Sequence, residues 1–314
     1  MLAMSFFMLS ANALGQAFPN RPVNFIMPIQ PGSSTETLIR LVAQEAGKVI
    51  GQPVVIENRL GAGGKIAMNA LRGARKDGYT IGMSYNGLLV NQVSADASFK
   101  FLPGQDYLPV FLIHEAYLVM VGNPGAPFRD LQGLIAYARS NPGKLSVSGS
   151  SRGSNSHLTW EFLKLMTGID VVVVNYQGEA PAVIDTLNGG VSAMVGSVTL
   201  KTHMDSGKLT GIATTGSQRD RIFTTLPTMH EAGLTGFNVS GWYGIIVPPE
   251  MPPELVARWQ QVFAAAFRSA EVTNMIREQG VVPLGQGADV FAERIRADLQ
   301  RVGPMIQKAG IKLE

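Results

Sequence analysis

Short apolar runs rich in β-branched residues alternate with helical patterns along most of the chain. The apolar runs predict strands near residues 23–27, 54–56, 80–83, 145–147, 171–174 and 191–195. Between them, helical spacing of apolar residues predicts helices near residues 38–49, 64–74, 130–140, 155–167 and 179–188. Strands that alternate with helices indicate an α/β fold with largely parallel strands.

Proline-rich segments interrupt this pattern at two places. The first, Asn123 to Pro127, follows the apolar run from Tyr117 to Val121, and the second begins at Val247. If the chain crosses between two lobes at both places, residues 122–243 form one lobe, and residues 18–121 with 244–314 form the other. Two crossings allow the lobes to hinge. A helix that opens at Pro253 is predicted to carry one apolar stripe, formed by Leu255, Val256, Trp259, Val262, Phe263 and Phe267.

Composition narrows the class of protein. The chain has 314 residues, 46% of them apolar, which fits about two domains with cores of their own. It has no Cys, and this excludes a disulfide-rich scaffold, a thiolate metal site and a cysteine nucleophile. The 26 Lys and Arg residues nearly balance the 23 Asp and Glu residues, without a long basic run. We therefore expect no nucleic-acid partner.

The first 17 residues differ in kind from the rest. They carry no charge, have an apolar centre and end in small residues at Gly15-Gln16-Ala17. The apolar stretch is shorter than the ~20 residues of a membrane-spanning helix, and its end resembles a cleavage site. We predict a secretory signal peptide over residues 1–17, cut after Ala17, and a periplasmic mature protein. The alternative is an N-terminal arm that stays on the protein.

Two loops between a strand and a helix carry hydroxyl groups suited to an anion. The first contains Gly32, Ser33, Ser34 and Thr35, and the second contains Ser150, Ser151, Arg152, Gly153, Ser154 and His157. A helix start exposes unpaired N–H groups and a partial positive charge, and small hydroxyl residues let an anion approach. Facing each other across a cleft, the two loops would clamp a carboxylate. An ordinary Ser/Thr helix cap explains either loop taken alone.

Further candidate residues follow later strands. Tyr176 ends a strand and is a candidate to stack on or hydrogen-bond a ligand, while Ser197 and Thr199 offer hydroxyls after another strand. Open α/β sheets bind ligands at these carboxyl ends of strands. His157 and Glu161 are spaced for a shared metal, but no third ligand is evident, so a packed or capping His is favoured. We expect no metal and no cofactor.

One motif points to catalysis. Gly149 to Gly153 matches the G-x-S-x-G pattern of a serine nucleophile, with Ser151 as the nucleophile and the strand and helix flanks that it requires. Asp205 or Asp220 and then His230 would complete the order Ser, Asp, His. Gly-rich and Ser-rich positions match this pattern easily by chance, and no oxyanion segment is present. We therefore expect no enzyme, and a secreted serine hydrolase using Ser151 is the alternative.

A series of short motifs, in order along the chain, resembles one family. They are Phe18-Pro19-Asn20-Arg21-Pro22-Val23, Pro31 to Glu36, Gln52 to Arg59, Gly61 to Gly64, Asp77-Gly78-Tyr79-Thr80, Asn141 to Leu145, Asn175-Tyr176-Gln177-Gly178, Gly207-Lys208-Leu209, Leu226-Pro227-Thr228 and Gly241-Trp242-Tyr243-Gly244. Together they resemble the Bug family, the periplasmic solute receptors of tripartite tricarboxylate transporters.

The resemblance implies a two-lobed periplasmic-binding-protein (Venus-flytrap) fold that captures a small carboxylated solute. In that family, the loops that match Pro31 to Glu36 and Ser150 to His157 hold the carboxylate. The expected partners are a membrane permease of a tripartite transporter or a sensor protein, and we expect a monomer. The solute class that we expect is an organic acid, an amino acid or an aromatic acid.

The sequence departs from the family pattern at several positions. Ser33 stands where the family usually has Gly, and Glu36 where it usually has Asp, although Glu36 should still cap the helix. The variable positions expected to line the distal part of the pocket are Tyr85, Asn86, Arg152, Ser197 and Thr199. They leave the identity of the solute open.

Overall fold

The computed structural model of the protein describes residues 18–93, 100–150, 153–176 and 178–308. The strands are β1 (Val23–Met27), β2 (Val54–Asn58), β3 (Thr80–Tyr85), β4 (Leu108–Tyr117), β5 (Val119–Gly122), β6 (Ser146–Gly149), β7 (Val172–Asn175), β8 (Ala193–Gly196), β9 (Thr210–Thr214), β10 (Ser240–Val247) and β11 (Val282–Gly287). The helices are α1 (Ser34–Ile50), α2 (Lys65–Arg72), α3 (Asn86–Val93), α4 (Leu131–Ser140), α5 (Asn155–Thr167), α6 (Glu179–Leu187), α7 (Lys201–Asp205), α8 (Pro253–Phe267), α9 (Ala270–Gln279) and α10 (Ala288–Lys308). The predicted signal peptide lies outside the described residues.

The strands form two sheets with helices packed on them. The first sheet has the order β11-β4-β10-β3-β1-β2, and the second has the order β7-β6-β8-β5-β9. β1 pairs in parallel with β2 and β3, and β6 pairs in parallel with β7 and β8. The pairings of β10, β11 and β5 are antiparallel. The expectation of largely parallel strands is therefore wrong. β5 and β10, which enter from the other lobe, run opposite to the strands of the β-α-β units, and so does β11.

Helix α1 shows how local sequence produces an element. Ser33 caps its start, since its Oγ accepts from the Glu36 N–H at 3.1 Å, and Gly51 ends it in the left-handed region at φ 81°. The fully buried stripe of α1 includes Leu38, Ile39, Val42 and Ala46. This stripe packs against the first sheet beside α8, where Trp259 and Phe263 are also fully buried. The predicted helix at Pro253 is confirmed.

Each sheet has its own apolar core, and α10 contributes to both. Phe291 and Ile295, near the start of α10, pack in the core of the first sheet. About three to four turns later, Ile306 packs in the core of the second sheet together with Trp160 and Leu163. Helix α10 is therefore a third connection between the lobes. Within the described ranges, no helix is long and apolar enough to span a bilayer.

The chain crosses between the sheets in extended conformation. β4 ends at Tyr117 in the first sheet, and β5 begins at Val119 in the second, so the first crossing is at Leu118. The chain returns where β10 begins at Ser240. Both points lie three or four residues before the borders expected at 121/122 and 243/244. The proline-rich segment after Gly122 is the turn that follows β5, so it marks the end of a strand and not the crossing.

A cluster of charged side chains ties the two crossings to α10. This hinge cluster consists of Glu115 near the end of β4, Ser240 at the start of β10, and Arg294 and Asp298 on α10. The Arg294 guanidinium donates to Asp298 Oδ2 at 3.0 Å, to Ser240 Oγ at 3.1 Å and to Glu115 Oε1. Ser240 Oγ also donates to Glu115 Oε1. One guanidinium thus joins all three connections between the lobes.

The surroundings of the hinge cluster balance its charges. Glu115 and Asp298 are 5% and 6% exposed, so each needs a positive partner. Arg301 supplies the second cation, donating to Asp298 Oδ1 at 2.9 Å and to the Asn238 carbonyl. Trp242 Nε1 donates to Asp298 Oδ2 at 2.6 Å. Burial alone would lower the pKa of Arg294, but the Glu115 and Asp298 carboxylates raise it overall.

We predict that Arg294→Met lowers the free energy of unfolding by about 3–5 kcal/mol, because it leaves two buried carboxylates without their shared partner. Denaturant unfolding measures this loss. The matched control is Arg296→Met on the same helix, where the side chain is 59% exposed in its pair with Glu293. The control should cost less than about 1 kcal/mol. Equal losses in the two variants would contradict the structural role of Arg294.

Candidate functional site

Capping at the start of α1 uses one amide N–H of the helix and one of the preceding loop. Ser33 Oγ accepts from the Glu36 N–H, and the Glu36 carboxylate accepts from the Gly32 N–H at 3.3 Å. Glu36 is buried, and its carboxylate also accepts a hydrogen bond from Arg40 Nε at 2.8 Å. The expected capping by Glu36 is confirmed. Ser33 and Gly32 are thereby committed to the turn, and Gly32 supplies the φ of 89° that it needs.

The start of α5 is built from three serine hydroxyls. The Oγ atoms of Ser150, Ser154 and Ser156 lie 2.8–3.2 Å from one another. Ser154 caps the helix, accepting from the His157 N–H at 3.3 Å, and Ser156 Oγ accepts from the Ser150 N–H at 2.8 Å. The three side chains therefore hold the loop and the first turn of α5 together. Ser151 and Arg152 lie outside the described residues.

His157 orders the same loop from inside. Its ring is buried, and Nδ1 accepts from the Gly153 N–H at 3.0 Å. That bond requires an unprotonated Nδ1 and leaves the neutral ring with its proton on Nε2, which lies 3.8 Å from Glu161 Oε1. Within the described ranges, no group of three or more His, Asp or Glu side chains is placed to hold a metal.

Capping leaves donors at both helix starts. In α1, Ser34 and Thr35 are the first two helical residues, and Asn155 and Ser156 occupy the same positions in α5. Amide groups at these positions have no partner within the helix. Each helix therefore offers two adjacent N–H groups and the positive end of its dipole. The two starts belong to opposite lobes.

Aromatic rings lie beside the start of α1. The Tyr243 hydroxyl hydrogen-bonds to the side chain of Thr35, and the Tyr243 ring stacks on Tyr85 at 6.1 Å and on His114 at 4.8 Å. Burial raises the pKa of Tyr85 to about 12. His114 is fully buried, and burial lowers its pKa to about 3. Among the described residues, neither ring nitrogen of His114 has a hydrogen-bond partner.

Asn86 joins the two lobes next to these rings. It follows Tyr85 directly and begins α3, and its Nδ2 donates to Asn155 Oδ1 at 2.6 Å and to the Ser240 carbonyl at 2.8 Å. A continuous series of contacts therefore runs from Thr35 through Tyr243, Tyr85 and Asn86 to Asn155. This series brings the starts of α1 and α5 to one seam between the lobes.

The remaining predicted residues have partners of their own. The hydroxyls of Ser197 and Thr199 donate to Glu179 Oε1 at 2.8 and 2.7 Å, and the Tyr176 hydroxyl donates to Asp185. Burial and the Asp185 carboxylate raise the pKa of Tyr176 to about 12. The structure thus gathers Ser197 and Thr199 around Glu179 at the start of α6. Their protons are committed there.

Among the described residues, the Asp and His side chains proposed for a hydrolase have separate partners. Asp205 pairs with Lys201, and Asp220 accepts from two backbone N–H groups in its own turn. His230 Nδ1 accepts from the Gly236 N–H at 2.9 Å. Each of these three side chains is therefore held by a partner in its own segment of the chain. A Ser-His-Asp relay would require an aspartate and the histidine to contact each other.

Several residues of the site were missed from the sequence. Asn155 and Ser156 adjoin predicted residues in the same loop, and their helical positions would have identified them. Tyr243 lies in the motif Gly241-Trp242-Tyr243-Gly244. This motif supported the family resemblance, but no role in the site was predicted for Tyr243. His114 gave no signal, because its stacking on Tyr243 depends on a strand pairing over 129 residues of chain.

Comparisons with known proteins identify the family of the chain. The family described as tripartite tricarboxylate transporter family receptor matches residues 38–311. The chain belongs to this receptor family. Protein BugT of Bordetella pertussis is 31% identical to the receptor over 308 residues, which is 98% of this chain and 94% of BugT.

Solved structures place the receptor among periplasmic binding proteins. The periplasmic binding protein BugD superposes with a TM-score of 0.78 at 26% identity, covering 95% of the receptor and 100% of BugD. An R. palustris protein solved with adipate superposes with a TM-score of 0.80 at 29% identity, covering 94% and 99%. The two-lobed fold and the expected family are confirmed. The receptor is a periplasmic solute-binding protein and not an enzyme.

We predict that His114→Phe reduces the loss of stability in acid. Native His114 stays neutral down to about pH 3, whereas the unfolded residue binds a proton below about pH 6.5. The free energy of unfolding therefore falls as the pH falls between these values, by up to about 1.4 kcal/mol per pH unit. Denaturant unfolding at pH 7.5, 6 and 5 should show a shallower dependence in the variant. Parallel curves would contradict this assignment.

Proposed function

We propose that the receptor captures a small carboxylate between its lobes, with the carboxylate held by the starts of α1 and α5. The observation that carries this proposal is the meeting of two capped helix starts from opposite lobes at one seam. Each start retains two adjacent amide donors, at Ser34 and Thr35 and at Asn155 and Ser156. Two positive helix ends with free N–H groups suit one carboxylate better than a neutral ligand.

The hydroxyl groups at the site complete the donor set. Thr35 and the serine trio of Ser150, Ser154 and Ser156 lie at the two helix starts, and Tyr85 and Tyr243 lie between them. In the proposed complex, the ring of Tyr85 lines the part of the pocket beyond the carboxylate. Of the predicted ligand residues, Ser197 and Thr199 act through Glu179, which they orient. Gly32, Gly153 and His157 shape the loops.

The proposed solutes are organic acids, amino acids and aromatic acids. A solved relative at 29% identity contains adipate, an organic acid with two carboxylates, which supports the first class. The remaining parts of the proposal concern the whole protein. Residues 1–17 are a signal peptide removed after Ala17, the monomeric receptor has lobes bordered near Leu118 and Ser240, and it delivers its solute to a permease or a sensor.

We predict that a screen of the mature protein, from Phe18 on, against mono-, di- and tricarboxylates, amino acids and aromatic acids gives a saturable thermal shift. A solute at 100 times its Kd adds about 2.7 kcal/mol to the free energy of unfolding. Ser34→Tyr should abolish the shift, because Ser34 is exposed and the ring would cover the α1 amides.

The matched control is Gln44→Tyr, at an exposed position ten residues along the same helix and roughly 15 Å away. It should keep the full shift. Ser154 is unsuitable for this test, because its hydroxyl caps α5 and replacing it disturbs the fold. A saturable shift that survives in Ser34→Tyr would place the solute elsewhere.

A further inference from the structure

The Asn86 amide lies between two acceptors from different parts of the chain. Its Nδ2 donates to Asn155 Oδ1 at 2.6 Å and to the Ser240 carbonyl at 2.8 Å. A carbonyl oxygen only accepts, so the Ser240 contact fixes which end of the Asn86 amide faces it. The second proton of Asn86 Nδ2 is then donated to Asn155, whose acceptor must be Oδ1. The orientation of both amides is therefore determined by the backbone of Ser240.

Each of the three residues begins an element with a separate task. Asn86 is the first residue of α3 in the first lobe, and Asn155 is the first residue of α5 in the second. Ser240 is the first residue of β10, where the chain returns to the first sheet, and its hydroxyl belongs to the hinge cluster. The Asn86 amide thus connects the hinge directly to the helix start that we assign to the solute.

The lobes are packed closely around this amide. A Cβ added at Gly241 would lie 2.9 Å from Asn155 Nδ2, so a side chain at this position would displace the Asn155 amide. The cavity beside the amides measures about 20 Å³, which is room for one water, and its lining includes Asp298 and Arg301. An apposition this close holds only while the two lobes stay in contact.

We infer that Asn86 is a positioning residue: its amide latches α5 of the second lobe to the hinge and the first lobe. This inference rests on the proposed function, and it changes the role expected for Asn86 from a direct ligand contact to a contact between lobes. The latch favours the arrangement in which the α5 amides face those of α1. A solute that binds this arrangement selects a population that the latch has already raised.

The latch is tested without any solute, by the distance between the lobes. The chain has no Cys, so Leu60→Cys and Ile184→Cys provide two unique spin-label sites at residues that are 44% and 61% exposed. Pulsed electron paramagnetic resonance then measures the distance between one site in each lobe. Unfolding midpoints for every variant identify any that fail to fold.

The decisive comparison is between two substitutions at one position. Asn155→Asp keeps an oxygen that accepts from Asn86 Nδ2 and should retain the native distance, whereas Asn155→Leu removes it and should add a longer distance. Asn86→Leu should behave like Asn155→Leu, and the double Leu variant should open no further than either single one. Equal opening in Asn155→Asp and Asn155→Leu, or native distances in both Leu variants, would overturn the latch.

A binding measurement separates this inference from the proposed function. Adipate and the acids of the thermal-shift screen are titrated by calorimetry into each variant. Asn86→Leu should raise the apparent Kd of a bound acid about tenfold. This is the effect expected when the two hydrogen bonds of the Asn86 amide are lost. Asn155→Asp should stay closed yet bind acids weakly, because its charge repels a carboxylate. Native affinity in Asn155→Asp would refute the carboxylate site while leaving the latch intact.

Discussion

The contacts of the Arg294 guanidinium are the interaction on which the arrangement of the lobes depends. It lies where β4, β10 and α10, the three connections between the lobes, come together. Burying the Glu115 and Asp298 carboxylates is costly unless a cation lies beside them. That requirement restricts the angles at which the two sheets can stand to one another. The two lobes whose orientation it restricts are those that carry the helix starts at the seam.

At the seam, the groups available to bind an anion are the amide N–H donors that the capping residues do not use. The first turn of a helix has four amide donors without helical partners, and Ser33 and Ser154 each satisfy one of them. The Glu36 carboxylate is held by Arg40 and the Gly32 N–H, so its charge is largely neutralised within its own lobe. The donors that remain are neutral. The favourable field for an anion therefore comes mainly from helix dipoles.

The sequence allowed prediction of those parts of the site that are local along the chain. A strand, a loop with hydroxyl residues and a helix stripe lie within about thirty residues, so both helix starts were found together with their capping residues. Contacts between distant segments were not accessible in this way. Tyr243 on His114, Asn86 on Asn155 and Arg294 on Glu115 each join residues at least 69 positions apart. Ser197 and Thr199 follow a strand as the sequence indicates, but no local pattern indicates that Glu179 accepts hydrogen bonds from both hydroxyls.

The strand order of the first sheet also constrains the order of folding. β10 lies between β3 and β4, so residues 240–247 must be inserted between strands that precede them by more than 120 residues. The strands of the second sheet, in contrast, all come from one continuous stretch between Val119 and Thr214. Contacts of high sequence separation form slowly, since the loop must close before they contribute. The second lobe can therefore fold first, while the first remains an open sheet until nearly the whole chain is available.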